Sequence, residues 1–547
     1  MDDSVSKFRQ MWLKRLEKRT GLERVPLARS TRLAILYSAA FCLLSSTVLS
    51  LSHPPHAGKI AGTIALSLLC IGCFWEALLC LQPVHERRNT HLCTLYTLVL
   101  MALILGELCC QGACLAMETS QEGISKFLFL SQPILQPHFL APAVLTLLLG
   151  PIYGVVAALG LTVLFTLQLG LNVPVSGNFS AANVLPFVVA SLVTGLLSSA
   201  LVPRLVLEGK IRRSFHLIRV ALLAAIAPVA GLLVGGLSVW IVHPDTLVDY
   251  YSSNSSWAFA AIGLVFVAIA SNLLQGAIAA TVLPAIEHVF ALTSSITLQN
   301  LTDLASPLMD RLAQEAPGTL NHSMAVSTIA AMAADSIGAN SLLARVGAYY
   351  HDIGKLSKPA MFTENQSGMA NPHDQLAPLT SATWIRSHVK NGLALAAQYR
   401  LPRPIRQIIA EHHGTTVLAY FYYKAVENAK ASGAEADSVS DLQFRYEGPK
   451  PSTKESGIIL LADSAEAAIN SLPHHTAHAI ETKVDEIFFQ KLQDGQFDEC
   501  HLTMGELATI RDSIKSSLIT KYHSRIAYPK DEEAETASEN HEEADKA

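Results

Sequence analysis

Between residues 32 and 283 the chain repeats one pattern, a long apolar run followed by a short polar loop. The runs fall at about 32–51, 59–81, 92–115, 139–150, 152–170, 184–203, 216–241 and 257–283. Most reach the roughly 20 residues that a helix needs to cross a hydrocarbon core, so they predict eight membrane spans. The run at 139–150 is too short, and Gly150-Pro151 separates it from the next. It reads as a short span or as half of a re-entrant hairpin. After Pro284 the pattern changes to mixed amphipathic segments. Leu298, Leu301, Leu304 and Leu308 recur at helical spacing within 285–317, which predicts a connecting helix. Residues 318–524 read as helix throughout, broken by a Gly-, Pro- and Ser-rich loop at 431–456. The predicted fold class is all-α: a polytopic membrane bundle followed by a helical domain.

Charge orients the bundle. The N-terminal residues 1–31 are basic, and the apolar run after them starts too late for a signal peptide. With a cytoplasmic N-terminus, eight spans put loops 82–91 and 204–215 inside, where Arg87, Arg88, Arg204, Lys210, Arg212 and Arg213 lie. The loops then outside are 171–183, which has no charge, and 242–256, with Asp245 and Asp249. That is the positive-inside pattern, and it places everything after residue 284 in the cytoplasm. Glu76 and Glu107 lie within spans, where an ionisable group is costly. Each reads as a ligand or proton site, or as a carboxyl hydrogen-bonded between helices. The tail 530–547 is acidic and nearly free of apolar side chains, so it is expected to stay solvated and disordered.

Composition supports the division. Charged residues are only 16% of the 547, against about 25% in an ordinary soluble domain, and mean hydropathy is +0.33. A net charge of −5 argues against a nucleic-acid polymer as partner. Eight of the nine cysteines lie in or beside the apolar runs, Cys70 and Cys73 as a CxxC, where Cys acts as a small apolar residue.

The chemistry concentrates in the helical domain. Its central word is Tyr350-His351-Asp352-Ile353-Gly354-Lys355, with His322 upstream and His388, the pair His412-His413 and Asp463 downstream. Imidazole and carboxylate together suit first-row divalent metals better than Mg²⁺ or Ca²⁺. A carboxylate next to a histidine can bridge two ions, and two ions about 3.5–4 Å apart suit in-line displacement at phosphorus. His474, His475 and His478 follow Pro473 in a surface loop and read as solvated.

The order His322, His351-Asp352, Asp463 resembles the HD superfamily of metal-dependent phosphohydrolases. The words YYHDIGK, NPHD, SHVK, EHHGTT, FRYEGPKP and LLADSAEAA are similar to the cytoplasmic domain of the seven-transmembrane HD proteins of the PgpH type. The resemblance covers about 139–524 and implies an all-helical domain that hydrolyses cyclic di-AMP to pApA through a metal-activated hydroxide. It also implies a multi-pass protein of a bacterial cytoplasmic membrane, working with two ions of manganese or iron, in contact with lipid, and compatible with a homodimer. Carried over by position, His322, His351, Asp352 and Asp463 would hold one ion, and Asp352 would bridge to a second held by His388, His412 and His413. Lys355 would neutralise the scissile phosphate. Thr415, Thr416, Arg445 and Lys450 are weaker candidates for substrate contacts. One departure is large: proteins of this type carry an extracellular domain between the first span and the rest, whereas only about His53 to Lys59 stands there in this chain.

Two other readings compete. Cyclic di-GMP enzymes share HDIGK but carry a GYP word that is absent from this chain. A non-catalytic nucleotide receptor is the other, and its usual loss of metal ligands is not seen here.

Overall fold

In the computed structural model the described residues are 31–50, parts of 62–75, 89–119, 131–172, 181–208, 215–242, 257–366, 371–432 and 439–522. The chain is all-helical over these residues, with the apolar helices in its first half and the helical domain in its second. It divides into two compact units, 23–303 and 304–547 with residues 1–22.

The first unit holds α1 (Thr31–Ser50), α2 (Asn89–Thr119), α3 (Leu140–Leu149), α4 (Pro151–Asn172), α5 (Ala181–Glu208), α6 (His216–Ala224), α7 (Ile226–Val242), α8 (Trp257–Phe290) and α9 (Ser295–Asn300). Six stretches among the described residues are long and apolar enough to cross a membrane: Thr90–Gly112, Ser131–Leu149, Pro151–Leu169, Val188–Val206, His216–Ser238 and Ala261–Phe290. A shorter apolar helix, Leu33–Leu49, corresponds to the expected first span. Most of the expected second span, with Glu76, lies outside the described residues, as do the CxxC at Cys70 and Cys73 and the acidic tail.

The run at 139–150 is longer in the structure than its hydropathy suggests. Helix resumes upstream at 131–135, and the chain breaks between 136 and 139 before α3 begins. Ser131, Gln132, Gln136 and His138 lower the local hydropathy, yet all four are buried. Side chains satisfy the break: the Gln136 amide donates to Phe165 O at 3.1 Å, Ser191 Oγ donates to Gln136 Oε1 at 3.2 Å, and Phe139 N donates to Gln275 Oε1 at 3.0 Å. Non-helical backbone at membrane depth is tolerable only with such internal partners. Glu107, also buried, accepts from Gln168 at 2.7 Å and Gln111 at 2.9 Å, which accounts for it as a carboxyl bonded within the bundle.

The expected connecting helix over 285–317 is not one helix. α8 continues through Pro284 to Phe290, where Ala291 takes a positive φ of 51° and ends it. α9 follows, capped by Ser294. The second unit then opens with α10 (Pro307–Glu315), with Pro at its first position.

That unit continues with α11 (Pro317–Ser336), α12 (Ser341–Tyr350), a 3₁₀ turn over Ile353–Ser357, α13 (Pro378–Gln398), α14 (Arg403–Glu411), α15 (Ala419–Ala431), α16 (Lys454–Asn470), α17 (Ala477–Gln493) and α18 (Met504–Tyr522). Its core is formed by α11, α12, α14 and α16 to α18, with Val326, Ile329, Ala333, Ile459, Leu460 and Leu518 among the buried positions. The small residues of α11 and α16 let the helices carrying His322 and Asp463 approach closely. One isolated antiparallel bridge joins Val417, just before α15, to Arg445 in the loop between α15 and α16.

Candidate metal centre

Six elements converge. His322 comes from the first turns of α11, His351 caps the C-terminus of α12, and Asp352 caps the N-terminus of the 3₁₀ turn. His388 lies in the middle of α13, the pair His412-His413 follows α14, and Asp463 lies in the middle of α16. Two glycines make this possible. Gly354 packs so tightly on α13 that a Cβ there would stand 1.8 Å from His388 O. Gly414 takes φ +54°, a conformation that favours glycine, and ends the helix directly after the histidine pair.

The residues form two groups that share Asp352. His322, His351, Asp352 and Asp463 have ligand atoms within 4.8 Å of one another, and so do Asp352, His388, His412 and His413. The two oxygens of Asp352 divide between them. Oδ2 faces His351 Nε2 at 3.2 Å and His322 Nε2 at 3.7 Å, while Oδ1 faces His388 Nε2 at 3.3 Å and His412 Nε2 at 3.6 Å. Asp463 Oδ1 lies 2.9 Å from His322 Nε2, and its Oδ2 lies 3.5 Å from His413 Nδ1.

The protonation pattern tests whether these residues fit metal ions. His351, His388 and His412 each direct Nδ1 to the carbonyl three residues back, at 2.7, 2.6 and 2.9 Å. A carbonyl only accepts, so Nδ1 carries a proton and each Nε2 points inward, free to offer a lone pair once it holds no proton of its own. His388 Nε2 and His412 Nε2 then face each other at 3.2 Å, two lone pairs that repel unless a cation lies between them. His351 Nε2 and Asp352 Oδ1 are buried without a hydrogen-bond partner. Such unmatched buried polar atoms are costly, and divalent ions of the imidazole-binding class, displacing any proton on the imidazole, would satisfy them. The residues fit.

Electrostatics agrees. Burial alone would lower the pKa of His322 and His351, but hydrogen bonds and charge from Asp463, Glu466 and Asp352 outweigh it and raise them to about 9 and about 10. Two protons thereby take the place of positive charge at the first group. His388, buried and near cationic neighbours, is pushed down to about 3 and stays a neutral donor. Burial also acts against Lys355, yet Asp352 at 2.8 Å and Glu364 at 2.6 Å hold its ammonium strongly protonated.

The weaker substrate candidates are placed differently. Arg445 bonds Asp441 and Asp494 and donates to Thr415 O, and Lys450 bonds Asp498 and Gly495 O. Thr415 pairs with Gln496, and Thr416 is buried and donates to His413 O. All four hold the loop after α14 in place. Two other cations, Arg386 and Lys390, one turn apart on α13, line a cleft together with His413 and Tyr446, and Arg386 also donates to Arg445 O at 2.9 Å. Tyr446 stacks on His413 with ring centroids 4.2 Å apart. The pair was present in RSHVK, flanking His388, but a histidine draws attention to itself and away from its neighbours. Glu466, one turn after Asp463, was missed in the same way. At His474, His475 and His478 no metal-holding group occurs among the described residues; His475 stacks on Tyr522.

Comparison with known proteins agrees on the domain. The HD domain family model matches residues 319–468. The chain is 39% identical over 300 residues to the cyclic-di-AMP phosphodiesterase PgpH of Bacillus subtilis, covering 55% of this chain and 41% of that protein. It is 44% identical over 252 residues to the protein of the same name from Listeria monocytogenes, covering 46% of this chain and 34% of that one. The crystal structure of the L. monocytogenes PgpH HD domain in complex with cyclic di-AMP is similar at 45% identity and a TM-score of 0.38, covering 41% of this chain and all of that one. The chain thus spans about two fifths and one third of the length of these two curated relatives.

Proposed function

We propose that the chain, which matches the HD domain family model over residues 319–468 and is similar to PgpH-type phosphodiesterases, is a phosphodiesterase that opens cyclic di-AMP to the linear dinucleotide pApA. The observation that carries the reading is Asp352, a buried carboxylate whose two oxygens serve two ligand groups beside an open cleft. Divalent ions of manganese or iron, one per group, would supply Lewis acidity at the phosphate and a nucleophilic water at neutral pH.

The chain's own residues do the rest. Asp352 and Asp463 supply negative charge that balances the ions, and the Nδ1 contacts to backbone carbonyls lock the imidazoles in the donor tautomer. Lys355 Nζ, fixed against Asp352 and Glu364, places a half-buried ammonium where charge would develop on the scissile phosphate. Arg386 and Lys390 give the cleft positive charge for the second phosphate of a cyclic dinucleotide, and Tyr446 offers an aromatic wall for a base.

The test uses the full chain in detergent, loaded with Mn²⁺ or, without oxygen, Fe²⁺. Cyclic di-AMP and cyclic di-GMP are offered separately and products are resolved by chromatography. Conversion of cyclic di-AMP to pApA, lost in Asp352→Ala, is the expected result. Conversion of cyclic di-GMP alone would transfer the activity to that substrate, and undiminished activity in Asp352→Ala would remove the mechanism.

A further inference from the structure

The two ligand groups are built unequally, and the difference lies behind the histidines. His351, His388 and His412 all rest their Nδ1 on neutral backbone carbonyls. His322 does not: its Nδ1 donates to Glu466 Oε2 at 2.6 Å. The other oxygen of Glu466 accepts from Lys521 Nζ at 2.6 Å, on the last turn of α18. Glu466 is 1% exposed and belongs to neither ligand group. A buried carboxylate outside both ligand groups that holds one ligand histidine and is itself held by a lysine has a specific electronic consequence.

A carboxylate is a stronger, charged acceptor than a carbonyl. It pulls the Nδ1 proton and makes the opposite nitrogen a better electron donor. The first group also contains two carboxylates, Asp352 and Asp463, while the second has only the shared Asp352. Lys521 acts in the opposite sense, withdrawing part of the charge that Glu466 lends to His322. We propose that Glu466 is a positioning residue that makes the group of His322, His351, Asp352 and Asp463 the tighter of two divalent-cation sites, and that Lys521 tempers this effect. The proposal rests on the reading of both groups as metal sites. Its consequence is an order of loading: limiting metal fills the first group, and the second fills only at higher concentration.

The experiment measures Mn²⁺ binding to the full chain in detergent by chelator competition, with thermal melting of the metal-free protein alongside. In the parent protein two ions bind with separable affinities. Glu466→Gln lowers the tighter affinity by roughly 10–100-fold and leaves the weaker one in place. Lys521→Met has the opposite sign: with nothing to withdraw charge from Glu466, the tighter affinity rises, although the metal-free protein melts earlier in both variants. A merely structural ion pair would weaken binding in both variants alike, so a fall in both would overturn the proposal, as would an unchanged tighter site in Glu466→Gln. Failure of the parent to bind two ions would instead overturn the reading of the groups as metal sites, a separate outcome that the same titration identifies.

Discussion

At the scale of single residues, the histidines and aspartates that carry the chemistry stand out in the sequence because their spacing has no ordinary structural use. Which of their neighbours matter is decided by contacts across more than 100 residues, such as Glu466 with His322, and no local pattern encodes those. Gly354 shows the same limit. In the sequence it is one letter of HDIGK; in the structure its missing side chain lets the 3₁₀ turn lie against the backbone of α13. A Cβ there would meet His388 O at 1.8 Å and Gly392 N at 2.4 Å, neither of which is a flexible side chain. A Cβ on Gly392 would meet Ile409 Cγ2 at 3.0 Å, a contact that a side chain can relieve. Gly354→Ala is therefore expected to cost upwards of about 3 kcal/mol and to displace His388, while Gly392→Ala costs about 1 kcal/mol. Melting temperature and Mn²⁺ affinity measured on both variants check this; equal losses would show that the backbone contact is not what limits the site.

The histidines also fix a pH dependence. In the metal-free protein His322 and His351 have folded pKa values raised to about 9 and about 10, against roughly 6.5 when unfolded. A raised folded pKa contributes stability that is complete below the unfolded value and lost as pH rises through the folded one. Metal-free protein should thus lose stability between about pH 6.5 and 10. Metal-loaded protein should respond in the opposite way over the lower part of that window, because the ion must displace those protons and binds better as they leave. Melting curves with and without Mn²⁺ should converge toward pH 6 and separate toward pH 8. Parallel curves would mean that the two histidines are neutral in the metal-free state.

At the scale of elements, the helices of the second unit were legible from their apolar spacing, and so was the loop at 431–456 from its Gly, Pro and Ser. What that loop does was not legible. Arg445 and Lys450 read as substrate cations because basic side chains near a metal site suggest phosphate, yet Asp494 and Asp498 in the turn after α17 claim them. Buried Glu411 joins the same strap, accepting from Ser452 N at 3.0 Å and Ser452 Oγ at 2.6 Å. The strap carries Tyr446 into the wall of the cleft. Loosening it is expected to harm substrate binding more than turnover, so Arg445→Ala should raise KM several-fold with a smaller change in kcat. Asp494→Asn discriminates the roles: it should reproduce the effect if Arg445 works through the loop, and leave KM unchanged if Arg445 touches substrate. Arg386→Ala, which removes a cation facing the cleft, should raise KM while Asp494 stays in place. In the first unit, the broken helix over 131–149 escaped the hydropathy pattern for a related reason, since Gln132, Gln136 and His138 read as loop residues until their partners on neighbouring helices are known.

At the scale of the whole molecule, the count of apolar stretches decides which side of the membrane each part would face. Six stretches among the described residues are long and apolar enough to cross, Leu33–Leu49 is a shorter apolar helix at the first expected run, and the expected run 59–81 lies mostly outside the described residues. We propose that all eight runs cross, because only an even number puts both the basic N-terminus and the helical domain on one side. The loops agree: 204–215 carries Arg204, Lys210, Arg212 and Arg213, while 242–256 carries Asp245 and Asp249. Each arginine or lysine left on the wrong side would oppose insertion, and the two loops invert together if the count changes by one. The prediction is that reporters fused after residue 210 and after residue 525 are active on the cytoplasmic side, and one placed at 250 only on the outer side. A cyclic dinucleotide made in the cytoplasm could then reach the cleft without crossing lipid. Cytoplasmic signal at 250 with outer signal at 525 would show that one of the eight runs does not span, and 59–81 would be the first to remove and retest. That outcome would also place Asp352 and its cleft on the side away from a cytoplasmic substrate.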